Sequence, residues 1–363
     1  MSDPKDILTS QPTPSLMEEQ IKKFTMESLR GKSVASFDLK KAAQALDDNE
    51  GQRVKAIDMG GDKISAVTLQ VADGRLRPNA TTLETVSTNQ GEGYLKFLES
   101  LATETSSLKL PLGISSAGPL EGTKPLAWHK VPVFMEELQA RYQGDLGKLF
   151  PSAVIFNDAV AGLMAGAVEA QSKFPGTEEV LYLINGSGVG GAVLKEGTIY
   201  ATEPGHIPLV EDLNPYHQDK ACGVFGAKNV CIELAAGSKA GIEDLWQKTK
   251  GEALSGEEIG KKLSQGDELA KGLYLHSAYL LAHVVMGMRG VFNLFEKPGK
   301  TVLGCHGGAF RVPGYTQRLV QILEKNLKFD PQVLITSDFS FDLCLEGAAI
   351  GALMKKPSET STA

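Results

Sequence analysis

Cysteine is scarce in this chain. Four residues, Cys222, Cys231, Cys305 and Cys344, are spread through 363 positions, too few and too dispersed for the disulfide framework of a small secreted domain. A reducing, cytoplasmic compartment is therefore expected. No apolar run approaches the roughly 20 residues that a membrane-spanning helix needs, and the opening MSDPKDILTSQPTP lacks the basic and apolar regions of an export signal. Positive charge is not in excess: 37 basic against 44 acidic side chains give a formal charge of -7, which offers no broad cationic face to nucleic acid. The 42% hydrophobic and 22% charged residues are the composition of a soluble globular protein. Its length favours two packed α/β units over one. A homodimer is left open.

Residues 1–15 are rich in Pro, Ser, Thr and Asp and are expected to be a flexible lead-in. Leu16, Ile21, Phe24 and Leu29, then Leu39, Ala43 and Leu46, recur at helical spacing with a break near Gly31, which predicts two short helices. A DNA-reading domain would need a longer, more basic segment with a hairpin wing. Residues 1–52 are accordingly expected to be an extension, helical after its start, that packs on the body or on a neighbouring subunit.

From Arg53 the pattern changes to strand, Gly-Gly turn and strand, ending at Asp73-Gly74. A helix is predicted from Tyr94 to Glu104, and a strand then runs into the loop Ser115-Ser116-Ala117-Gly118-Pro119. Ala153–Phe156 is a further strand, followed at once by Asn157-Asp158 and a helix of small residues. A second strand, glycine turn and strand then repeats the first in architecture. The boundaries expected are one lobe over 53–156, with a C-terminal helix at about 343–354 packing back on it, and a second lobe over 157–342. Two α/β lobes with a cleft between them fit this order.

Chemistry concentrates where strands end. In Asp58-Met59-Gly60-Gly61-Asp62-Lys63 the glycines let the backbone approach a phosphate, whose oxygens the turn amides can bind. Asp58 could hold Mg²⁺ through water. A plain hairpin bend is the competing reading. Gly186-Ser187-Gly188-Val189-Gly190-Gly191 can fold around phosphate with Ser187 Oγ as a donor. It opens no helix and lacks the Lys-Ser/Thr ending, which weighs against a dinucleotide fingerprint and a P-loop. Gly304-Cys305-His306-Gly307-Gly308 could admit the flat face of a nucleobase. Asp158 could take the proton of an attacking hydroxyl that Asn157 orients, while simple helix capping explains the same pair. Glu203 and His206 share one loop and Glu233 opens a later helix. With Asn157 and Asp158 they supply the acceptors that adjacent sugar hydroxyls require. Ser116 and Gly118 are candidate walls of the same pocket.

Taken in order, these segments resemble the ROK family (repressors, open reading frames, kinases) of the actin/hexokinase/Hsp70 fold group, including its glucokinase-like members. The likeness runs from about Val54 to Leu353. Asp58 to Gly61 and Gly186 to Gly191 look like the phosphate motifs, and Asn157-Asp158-Ala159 like the catalytic strand end. Glu203 to His206 look like the sugar loop, Cys231-Ile232-Glu233 like the end of the cysteine motif, and Gly307-Gly308 like the adenosine motif. The resemblance implies a two-lobed actin-like ATPase (ribonuclease H-like) fold. It also implies ATP-Mg²⁺-dependent phosphorylation of a hexose or N-acetylhexosamine, with Asp158 as base and Glu203, His206 and Glu233 on the sugar. ATP would touch Asp58, Gly60, Gly61, Lys63, Gly186, Ser187, Gly188, Gly307 and Gly308.

The chain departs from the family in two places. Asp62 stands where the family has threonine, replacing a hydroxyl donor with a negative charge at the γ-phosphate. This keeps a non-catalytic, sugar-binding regulator in play. The family's zinc site of one His and three Cys lacks a cysteine here. His206, His217, Cys222 and Cys231 could make a four-ligand site, but their spacing is unusual, so buried thiols without zinc are expected.

Overall fold

A computed structural model describes residues 29–60, 63–87, 91–126, 131–209, 221–222, 230–335 and 342–355. The chain enters through β1 (Lys32–Ser36) and α1 (Leu39–Asp48). Next come the antiparallel strands β2 (Arg53–Met59), β3 (Lys63–Ala72) and β4 (Arg75–Pro78), with β5 (Glu84–Ser87) paired back on β3. After α2 (Tyr94–Leu108), β6 (Leu112–Ser116) lies parallel to β2. The small hairpin β7 (Leu120–Glu121) and β8 (Lys124–Pro125) leads into α3 (Pro132–Tyr142) and α4 (Leu146–Leu149). The last strand of this sheet, β9 (Val154–Asn157), is parallel to β6. The order is β4-β3-β2-β6-β9. Val54, Ala56, Ile57, Ile114 and Val67 are fully buried, as expected where helices cover both faces.

The long helix α5 (Asp158–Lys173) crosses to the second sheet, where β10 (Glu179–Asn185), β11 (Val189–Lys195) and β12 (Thr198–Thr202) are antiparallel. Helices α6 (Ile232–Ala236), α7 (Asp244–Lys250), α8 (Gly256–Ser264) and α9 (Glu268–Phe292) follow. Ser255 and Glu258 close a reciprocal cap at the start of α8, and Asp267 accepts from Ala270 N–H at the start of α9. Then β13 (Thr301–His306) pairs parallel to β10, α10 (Tyr315–Leu327) intervenes, and β14 (Gln332–Ile335) pairs parallel to β13. The order is β1-β12-β11-β10-β13-β14. Finally α11 (Leu343–Met354) returns across β2 and β6 and packs on α5. The crossing is close: a Cβ at Gly347 would lie 1.6 Å from Ala161 O, so only glycine admits this approach.

The N-terminal segment corrects one expectation. Residues 32–36 are not helical but form the edge strand of the second sheet, paired antiparallel with β12. Helical spacing does hold over α1, where Asp38 caps the start and Leu39, Ala42 and Leu46 are buried. Residues 1–28 lie outside the described residues. Among the described residues no helix is long and apolar enough to cross a membrane.

Candidate active site

The parallel registers of the first sheet bring three strand ends to one edge. Asp58 stands opposite Ser115, Ser115 opposite Phe156, and Ser116 opposite Asn157. Ligands of open α/β sheets bind at such carboxyl ends. Asp58 accepts from Ser115 Oγ (2.7 Å). Gly60 N–H donates to Lys63 O (2.9 Å), closing the β2–β3 turn; Gly61 and Asp62 lie outside the described residues. Asn157 caps α5, its Oδ1 accepting from Ala159 N–H (3.0 Å) while its Nδ2 donates to Gly118 O (2.9 Å). The capping role is therefore real, and Asp158 follows it in the first helical turn. Ser116, expected to line the pocket, is fully buried, with its hydroxyl on Ala117 O (3.4 Å). The pleat of β6 aims Ser115 at Asp58 instead.

On the second sheet β10 and β13 are parallel with Ile184 opposite His306, so the two glycine turns are neighbours. Gly186 N–H donates to Gly188 O, and Ser238 N–H donates to Gly186 O (both 2.9 Å), which fixes the turn that contains Ser187. Gly307 has φ of 104°, and a Cβ there would meet Asn185 O at 2.4 Å. His306 belongs to the strand, so the third loop is Gly307-Gly308 opening a short 3-10 turn, Gly308–Arg311. Asn185, fully buried, donates to Tyr315 OH (2.9 Å), Ser277 Oγ (3.4 Å) and Ala236 O (3.3 Å). Sequence reasoning missed this anchor, although a buried-strand asparagine directly before Gly186 was a signal for it.

A third group assembles from separate segments. His206 ends the 3-10 turn Pro204–His206, with Nε2 3.9 Å from Glu203 Oε2. Glu233 in α6 accepts from Val189 N–H (3.3 Å), tying that helix to the second glycine turn. Cys222 Sγ lies 3.5 Å from His206 Nδ1. Donor atoms of His206, Cys222 and Cys231 all lie within 4.8 Å of one another. The two cysteines, expected to be buried thiols, thus lie beside His206, Cys231 buried and Cys222 half-buried. His217 lies outside the described residues.

Electrostatics joins these groups. Burial pushes the Asp158 carboxyl up to about 6, with Glu233 adding to the rise and the Ala159 amide opposing it. Burial likewise pushes Glu203 up to about 7, His206 opposing and Asp158 and Glu233 adding. Asp58 is pushed up to about 8 by burial and by Asp342 and Asp158, against Ser115 and Lys63. Burial works against a charged His206, but the Cys222 thiol, Glu233 and Glu203 outweigh it and raise this imidazole. A hydrogen bond with Cys222, and then burial, raise the Cys231 thiol. Acids from both lobes and a basic imidazole thus share one desolvated site, the condition under which proton transfer can be tuned. Asp342, absent from the sequence-based set, enters because it caps α11 beside Asp58.

Two α/β sheets, joined by crossing helices and meeting at their strand ends, define an actin-like ATPase fold. The sequence matches the ROK family over residues 54–353. The chain belongs to that family. Comparison with curated proteins finds no match. Among solved structures, the ROK hexokinase from Thermus thermophilus is similar, at 22% identity and TM-score 0.56 over 82% of this chain and 97% of its own. A ROK family glucokinase from Streptomyces griseus, in complex with glucose and AMPPNP, has 18% identity and TM-score 0.56 over 82% and 98%. A ROK family transcriptional regulator, homolog of the E. coli MLC protein, has 16% identity and TM-score 0.55 over 84% and 79%.

Proposed function

We propose that this protein is a sugar kinase that transfers the γ-phosphoryl group of ATP to a hydroxyl of a hexose, glucose-like, or of an N-acetylhexosamine. The observation that carries the reading is the placement of Asp158: half-buried, opening α5 at the end of the first sheet, and within electrostatic reach of Glu203 and Glu233. At about 6, its carboxyl is mostly ionised at neutral pH yet basic enough to take a hydroxyl proton as that oxygen attacks phosphorus. Asn157 holds Asp158 at the strand end through Gly118 and Ala159. Glu203, Glu233 and His206 would bind sugar hydroxyls. The amides of Gly60, Gly186, Ser187, Gly188, Gly307 and Gly308 would cradle the nucleotide, with Lys63 countering its charge. Asp58 is a hard oxygen ligand in a carboxylate-rich spot, which suits Mg²⁺ held through water, and the ion would supply neutralisation of phosphate charge. The sulfur and imidazole donors of His206, Cys222 and Cys231 fit zinc, which would fix the orientation of the sugar-reading imidazole.

A panel of hexoses and N-acetylhexosamines assayed for ADP release with ATP-Mg²⁺ tests the reading, and at least one sugar should give sugar-dependent turnover. Sugar binding by calorimetry with no turnover anywhere on the panel would instead establish the second reading, a non-catalytic sugar-binding regulator. The feature favouring that alternative is Asp62, which adds a negative charge to the Asp58–Lys63 segment in sequence. Restoration of turnover by Asp62→Thr would trace the loss to that charge.

A further inference from the structure

His306, Asp342 and Cys344 form a group that the kinase chemistry leaves unused. Their ligating atoms, an imidazole nitrogen, a carboxylate oxygen and a thiol sulfur, all lie within 4.8 Å of one another. His306 ends β13 in the second sheet. Asp342 and Cys344 start α11, which packs across β2 and β6 of the first. Two of the three have ordinary structural explanations. One Asp342 oxygen caps α11, accepting from Cys344 N–H (2.9 Å) and Leu345 N–H (3.4 Å), and the Cys344 thiol reaches Asp158 O (3.5 Å). His306 has none. Its ring stacks near Tyr182 (centroids 6.2 Å apart), while Nδ1 is buried and has no hydrogen-bond partner among the described residues. A buried polar atom left unpaired is unfavourable because its hydration is lost without replacement, so a missing partner is indicated. Charge points the same way. Asp342, Asp58 and Asp158 converge here, with Lys63 near Asp58 and Arg311 near His306 as the opposing cations.

We propose that His306, Asp342 and Cys344 bind a divalent transition-metal ion of the borderline to soft class, such as Zn²⁺ or Co²⁺. Thiolate and imidazole donors select such ions over Mg²⁺ or Ca²⁺. The ion displaces the Cys344 thiol proton to solvent and fills the open position at His306 Nδ1. Because the ligands come from β13 and α11, the bound ion staples the second sheet to the helix that spans the first. Occupancy therefore restrains relative movement of the lobes. The site is separate from His206, Cys222 and Cys231, and the inference does not rest on the kinase reading.

The test uses full-length, chelator-stripped protein titrated with Co²⁺, followed by thiolate-to-metal charge-transfer absorption. A Cys222→Ser/Cys231→Ser double variant removes the thiols of the other cluster. In that background the charge-transfer band should persist at one equivalent and thermal stability should rise with Co²⁺. Adding Cys344→Ser should abolish the band, and adding His306→Gln should weaken Co²⁺ binding by more than about tenfold, the loss typical of even outer partners. Absence of the band in a folded double variant, or its persistence after Cys344→Ser, overturns the proposal. Should Cys344→Ser not fold, an unchanged Co²⁺ affinity in His306→Gln overturns it as well.

Discussion

The two sheets share one plan and end it differently. In each, an antiparallel pair (β2 and β3, β10 and β11) is continued on the same side by two parallel strands (β6 and β9, β13 and β14). At its site edge the first sheet carries ionisable side chains, Asp58, Lys63 and Asp158. The second carries glycines and the neutral, fully buried Asn185, whose side-chain Nδ2 donates to Tyr315 OH. A charged end can exchange protons and hold cations, whereas a glycine end offers backbone amides and room. On the proposed reading, the same scaffold separates reaction from nucleotide grip, with Glu203, His206 and Glu233 reading the sugar.

Breaking the charged end should have the largest effect. Asp158→Asn should lower kcat by about 10²–10⁴-fold, the usual worth of a positioned base, with sugar affinity by calorimetry changed only a few-fold. Normal turnover in this variant would remove Asp158 from the role of base. At the glycine end the effect should be smaller and of another kind. Gly307→Ala places a Cβ against Asn185 O from a positive φ and should cost about 1–3 kcal/mol in stability. In chemical denaturation it should shift the midpoint, and it should raise KM for ATP more than KM for sugar; equal changes in both would show that the two ends are not divided as argued.

The pH dependence of stability probes the charged end more gently. Asp58, Asp158 and Glu203 have folded-state values of about 8, 6 and 7, above their ordinary 3.8, 3.8 and 4.5. A raised carboxyl binds its proton more tightly when folded, so its contribution is full below the ordinary value and is lost as pH rises through the folded one. The melting temperature of metal-free protein should therefore fall by at least a few degrees between about pH 5 and pH 8. Asp58→Asn should flatten the upper part of that fall. A flat profile in the unmodified protein would mean that these carboxyls are solvated in the free enzyme.

What the sequence determined by itself was local. Strand, glycine turn and strand appeared twice because strand-forming runs and turn residues adjoin in the chain, and Asn157-Asp158 was legible because a cap and the first helical residue are neighbours. Tertiary structure decided everything that depends on distant segments meeting. Residues 32–36 became a strand because the edge of β12 offered hydrogen bonds that local propensity did not foresee. Ser115 rather than Ser116 met Asp58 because the pleat alternates side chains across the sheet. His206, Cys222 and Cys231 converged despite their spacing, and α11 carried Asp342 and Cys344 from near the end of the chain to Asp58 and His306. Long-range packing also desolvated Asp58 and gathered other carboxylates around it. The acid that looked in sequence like a simple cation ligand thereby became the most strongly proton-binding carboxyl of the charged end.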